Sequence, residues 1–251
     1  MKALTFVMVG LVVGLLATTA TAGGEKMTAT PPQFLALSQA QPFLRAQVLI
    51  GMPVRNEEGN LEGVVKDILL TEDKSTAQTL EVVFADVAPG RLVEVPLSAC
   101  RLTPDRAKLV YNVTREKISD LAAVAPTALP EGAVKRSVSH LIGLAVRDNT
   151  NSRVGRVRDV LIASDSGRIT EATVGVGGFV GLGEKLASVR WDTITFAADG
   201  QYCAIGMPAS GLRALAFRER DYWKQLGFSG RQELTYPREG MKKTQSDTWD
   251  Y

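Results

Sequence analysis

Apolar and polar positions alternate in short runs along most of this chain, with the two-residue period of strands. Residues 47–50, 64–70, 80–84, 92–97 and 108–113 are such runs, parted by turns such as Asn56-Glu57-Glu58-Gly59 and Thr103-Pro104-Asp105-Arg106. A second set follows in the same order over 145–147, 156–162, 171–176, 187–191 and 202–207. Each set then gives way to a helical pattern. Thr114 caps a helix over 115–123 with Ile118 and Leu121 facing inward. Pro208 or Ser210 opens a longer one, in which Leu212, Leu215, Ala216, Tyr222, Trp223 and Leu226 form one face before Gly227 stops it.

The two sets are copies. Residues 49–70 read LIGMPVRNEEGNLEGVVKDILL and residues 141–162 read LIGLAVRDNTNSRVGRVRDVLI, 92 positions apart with no gap. The shared positions are glycines (Gly51/Gly143, Gly63/Gly155), strand apolars, one base, Arg55/Arg147, and one acid, Asp67/Asp159. Keeping the core-forming pattern while the polar surface drifts is the mark of one small fold used twice. After the middle strands the offset becomes 94, matching Ile118 to Leu212 and Leu121 to Leu215. Five or six short strands cannot bury themselves as a flat sheet. The expectation is a mainly β fold of two tandem small closed β-barrels, each followed by an α-helix. Their bounds are 43–124 and 136–227, with 125–135 as a linker.

The ends read differently. Residues 1–22 have the layout of a cleavable signal peptide: Lys2, an uncharged apolar run over 3–17, and the small-x-small site Ala20-Thr21-Ala22. The run is short for a membrane span. A periplasmic location is expected, with an uncleaved inner-membrane anchor as the alternative. Residues 23–42 form a flexible tether and 228–251 a flexible tail. Losing residues 1–22 removes one Lys and no acid, so the net charge falls from +2 to +1. Nucleic acid rewards dense positive charge, so no nucleic-acid partner is expected.

Candidate chemistry is sparse. Gly175, Gly177, Gly178, Gly181 and Gly183 crowd one hairpin, but no G-x-G-x-x-G is present. Glu184 stands where a phosphate-binding loop needs Lys, so the glycines read as hairpin geometry. Asp67 and Asp159 share parity with strand apolars, which puts an acid on a core-like face. Accepting backbone N–H bonds from a neighbouring loop, or being turned away by a bulge, accounts for that better than catalysis. The single His140 makes no metal site alone. Cys100 and Cys203 each replace an apolar residue of the other copy, favouring two buried thiols over a disulfide between copies. Arg153, Arg156 and Arg158 make the second copy's hairpin basic and are a candidate interaction patch for an acidic partner or lipid head groups. No cofactor or metal is expected.

The second copy, SHLIGLAVRDNTNSRVGRVRDVLI followed by TVGVGGFVGLGEKLASVRWDTI, resembles the PRC-barrel domain. The family's glycine hairpin falls here on Gly178, Gly181 and Gly183, and its closing strand motif on Trp191 and Asp192, with Arg190 at the Pro position. The first copy keeps Pro96 but has Leu97 and Ser98 where the motif has Trp and Asp, and lacks the glycine hairpin. The resemblance implies a docking or assembly module rather than an activity. The expected function is a non-catalytic binding or assembly module of the bacterial cell envelope, with a protein partner there and a membrane surface as a second partner class. The alternatives are a small-ligand carrier using the cleft between barrels and, less favoured, an enzyme.

Overall fold

The computed structural model describes residues 43–104, 106–178 and 183–228. The expected signal peptide (1–22), the expected tether (23–42), Gly181 and the expected tail beyond Phe228 lie outside the described residues. The fold is mainly β. The first half runs β1 (Phe43–Arg45), α1 (Ala46–Leu49), β2 (Pro53–Arg55), β3 (Glu62–Leu70), β4 (Ala77–Val83), β5 (Val93–Pro96), β6 (Cys100–Leu102), β7 (Leu109–Tyr111) and α2 (Arg115–Val124). The short α3 (Glu131–Val134) then leads to α4 (Val138–Leu141). The second half continues with β8 (Ala145–Arg147), β9 (Arg153–Ala163), β10 (Ile169–Val176), β11 (Lys185–Arg190), β12 (Ile194–Phe196) and β13 (Tyr202–Ile205). It ends in α5 (Ala209–Ala214), β14 (Phe217–Arg218) and α6 (Glu219–Gln225).

The repeat is legible bond by bond. Gly51 donates to the Val65 carbonyl and Gly143 to that of Val157, both at 2.8 Å, and Val65 and Val157 bond back to Met52 and Leu144 at 3.0 Å. Both glycines have positive φ, 92° and 98°, where a side chain would be strained. Each turn follows one helical turn, Ile50 to Ala46 and Ile142 to Val138 at 2.9 Å. Residues 47–50, read as a strand from their apolar run, therefore belong mostly to α1.

The expected closure into barrels does not form. The first sheet has strand order β5-β4-β3-β2-β7-β6 and the second β12-β13-β8-β9-β10-β11-β14, and neither ladder returns on itself. At the corners after β5 and β11, three-residue 3-10 turns, Leu97–Ala99 and Trp191–Thr193, carry the chain to the strand at the far end of the sheet, β6 or β12. The chain joins β5 to β6 and β11 to β12 there, and no ladder among the described residues does.

Nor are there two separate interiors. One apolar cluster takes residues from both repeats, among them Leu49, Val65 and Leu80 with Leu141, Val157 and Val174. The repeats exchange segments to build it. β1, which precedes the first repeat, pairs with the end of β9 in the second, Phe43 opposite Ala163 and Arg45 opposite Leu161. Reciprocally, Leu69 of β3 bridges Ser137, which precedes the second repeat, and Leu70 donates to the Arg136 carbonyl at 3.0 Å. The hairpin tips meet as well, Thr76 opposite Arg168, which are the same position 92 residues apart. This is the self-complementary contact pattern of a twofold dimer, made within one chain.

The long C-terminal helix is broken. α5 stops at Ala214, two residues pair as β14 with β11, and only then does α6 begin. Leu212 is buried in the shared core, Tyr222 and Trp223 are buried on the outer face of the second sheet, and Leu215 is exposed. A single helical face cannot serve two sites on opposite sides of a sheet.

Candidate binding surface

Asp159 anchors the outer face of the second sheet. β9 carries a bulge between Val157 and Asp159, so Val157 faces the shared core and Asp159 the outer side, opposite Thr173. There it is 1% exposed. It accepts from Arg45 Nε at 2.8 Å, from the Gln47 backbone at 3.0 Å and from the Val160 backbone at 2.8 Å. Burial pushes its carboxyl up, and Arg45 with those N–H donors pulls it back. The Arg45 guanidinium also lies 3.6 Å from the Trp223 ring centroid, so α6 roofs the pair. Tyr222 completes the roof through a 2.9 Å hydroxyl bond to Thr173.

The first repeat builds the same outer face with different residues. A bulge again turns Asp67 outward, where it accepts from the backbones of Ile68 at 2.7 Å and Ser139 at 3.1 Å. Gln47 to Asp159 and Ser139 to Asp67 are thus one bond made twice across the repeat. The acids lock each repeat to the other. At the position equivalent to Arg45 stands Ser137, and opposite Asp67 stands Glu81, itself opposite Glu94. The row Asp159–Thr173–Ser188 of the second sheet is Asp67–Glu81–Glu94 in the first. Glu81 is 1% exposed, and neither of its carboxylate oxygens has a hydrogen-bond partner among the described residues. Burial, then Glu94 and Asp67 beside it, push its carboxyl up to about 7. The linker crosses this strand, anchored at β5 by Leu92 to Pro126 (2.8 Å) and at β3 by Leu70 to Arg136.

The other expected residues are dispersed. Gly63 lies where a Cβ would come within 2.6 Å of the Phe84 ring, and Gly155 where one would strike the Gly175 carbonyl. Gly178 and Gly183 have positive φ, as a hairpin requires. Trp191 is 8% exposed and packs 5.4 Å from Phe196. Its indole N–H donates to the Lys74 carbonyl of the other repeat at 2.8 Å, a bond Leu97 cannot make. Asp192 is exposed and paired with Arg190. Arg158 is held by Glu184 at 2.6 Å, while Arg153 and Arg156 are exposed. Cys100 and Cys203 are free, buried thiols, pushed up to about 12 and about 11 by burial.

Two surface features were not read from the sequence. One is the open edge of the second sheet. Leu215 (48% exposed) and Phe217 (42%) are the exposed large hydrophobics among the described residues. They sit on and beside β14, whose pairing among the described residues is with β11 alone, amid exposed Arg213, Arg218 and Arg220. The periodicity had put Leu215 inside. The other is a shallow cleft of about 40 Å3 where the repeats join, lined in part by Lys74, Lys135, His140 and Phe196. Among the described residues no group of three or more His, Cys, Asp or Glu is placed to hold a metal ion.

These observations describe a curled sheet entered through a helical turn and a left-handed glycine, and left through a 3-10 corner at Trp191. Residues 134–202 match the PRC-barrel domain. The PRC-barrel match runs from the end of α3 to the start of β13, so it holds Asp159, the glycine hairpin and Trp191. It excludes β1, β14 and α6, which supply Arg45, the exposed edge and the aromatic roof. No second PRC-barrel match falls on the first repeat. No curated protein matches the chain.

Proposed function

We propose that this chain is a non-catalytic binding and assembly module of the bacterial cell envelope, built from two PRC-barrel-like repeats and docking through the β14 edge. The observation that carries the reading is the exposed Leu215 and Phe217 beside and on β14, whose pairing among the described residues is with β11 alone. Exposed apolar residues on an unpaired edge invite a partner strand, with main-chain bonds for affinity and side chains for selectivity. Exposed Arg213, Arg218 and Arg220, against exposed Glu219 and Asp221, leave a small positive excess that favours an acidic partner segment. The apolar N-terminal run and Ala20-Thr21-Ala22 support export to the envelope.

A photo-crosslinking residue at Leu215 tests this in intact envelopes, with one at exposed Gln78 as control. A discrete protein adduct is expected at 215 and not at 78, and Phe217→Asp should abolish it without changing the thermal melt. No adduct, or equal adducts at both positions, overturns the reading. The junction cleft favours a second, compatible role in holding a small ligand.

A further inference from the structure

We propose that the cleft at the repeat junction is a binding site for a small anion, a carboxylate or phosphate ester carrying a short apolar group. Two separate pieces of chain bring three positive or donor groups to it, and no Asp or Glu is among the described residues that line it. Lys74 comes from the tip of the β3–β4 hairpin, and Lys135 and His140 from either side of the start of α4. Leu141, Leu144 and Phe196 supply an apolar floor. A few convergent polar groups over apolar lining is the make-up of a ligand site.

The groups are held in place. Lys74 has φ +57°, a conformation that side-chain-bearing residues adopt only when fixed by their surroundings. The indole of Trp191 fixes it from the other repeat by donating to its carbonyl. Asp73 fixes it from within the turn, accepting from the Thr71 hydroxyl at 2.5 Å and the Ser75 backbone at 3.0 Å. The Lys74 ammonium consequently stands 4.8 Å from the Phe196 ring centroid, over the floor. His140 Nε2 is buried with no hydrogen-bond partner among the described residues, facing Gly200, where an added Cβ would lie 3.6 Å away. A buried polar atom without a partner is a standing cost. An anion accepting from an Nε2–H would remove it, once the flexible Lys135 stem beside Gly200 moves aside.

The repeat supplies an internal comparison. At the equivalent positions 92 residues away, Lys74, Lys135 and His140 become Ser166, Phe43 and Val48. All three groups are absent together from the equivalent place in the other half of the fold. The charge is therefore specific to this cleft and is not a requirement of the architecture.

The chain has one histidine, so its ring C–H resonances report on this cleft directly. The full chain is titrated with butyl phosphate, and separately with phosphatidylglycerol and phosphatidylcholine vesicles. A saturable shift with butyl phosphate supports a soluble phosphate ester as the ligand. Saturation by phosphatidylglycerol vesicles alone, with none by phosphatidylcholine, assigns the same chemistry to a lipid head group. Lys74→Gln with Lys135→Gln should weaken either response at least about tenfold with an unchanged thermal melt. Phe217→Asp should leave it intact, which separates this site from the docking edge. A linear shift with every probe, or an identical curve in the double variant, overturns the proposal.

Discussion

Glu81 is buried on the outer face of β4 with Asp67 and Glu94 opposite it on the neighbouring strands. In the folded protein it keeps its proton up to about pH 7, whereas the unfolded chain loses it near 4.5. Between those values the fold binds more protons than the unfolded chain. The stabilisation is therefore complete below about pH 4.5 and is lost as pH rises through about 7. The change is on the order of 3 kcal/mol. Glu81→Gln should flatten this dependence and raise stability at pH 8, as urea unfolding at pH 5 and 8 would show. If the variant loses as much as the parent, the titrating group is elsewhere. Asp159 is the opposite case, a buried acid with its cation. Arg45→Met strands that carboxylate and should cost about 3–5 kcal/mol in thermal or urea melts, while adding Asp159→Asn should recover part of the loss.

At the scale of elements, the strands, the α2 cap at Thr114 and the 92-residue offset were legible because each is written in local periodicity. What was not legible depends on bonds between distant segments. Asp159 reads as facing the core until the bulge at Arg158 is counted, and Arg45 carries no local sign that it will cross to the other repeat. The C-terminal helix looked continuous because Leu212, Leu215 and Tyr222 keep a helical spacing, yet β14 interrupts it to pair with β11. Trp191 shows the same limit. Its match to Leu97 implied a need for apolar bulk alone, but the indole also ties the corner after β11 to the β3–β4 hairpin. Trp191→Ala should cost about 3–5 kcal/mol. Trp191→Leu should still cost more than a volume change, by about 1 kcal/mol for the lost bond to Lys74. A Leu variant melting with the parent would mean that the bond contributes nothing.

For the whole molecule, the exchange of segments decides what can fold alone. The segment matching the PRC-barrel domain lies within the second repeat, yet that repeat borrows β1 and α1 from the far end of the chain. Without residues 43–49, the end of β9 loses its partner strand, Asp159 loses Arg45 and the Gln47 N–H, and the Trp223 ring loses the guanidinium beneath it. A shared apolar core would also be cut in two, and each half is of a size at which burial barely offsets chain entropy. A fragment of residues 126–228 should therefore lack a cooperative melt and bind a hydrophobic dye. Mixing it with an equimolar fragment of residues 43–125 should restore near-ultraviolet circular dichroism and a single transition, because every exchanged bond can then form between chains as it does within one. A 126–228 fragment that melts cooperatively alone, as a monomer, would show that the exchange is an accessory to the fold rather than its foundation.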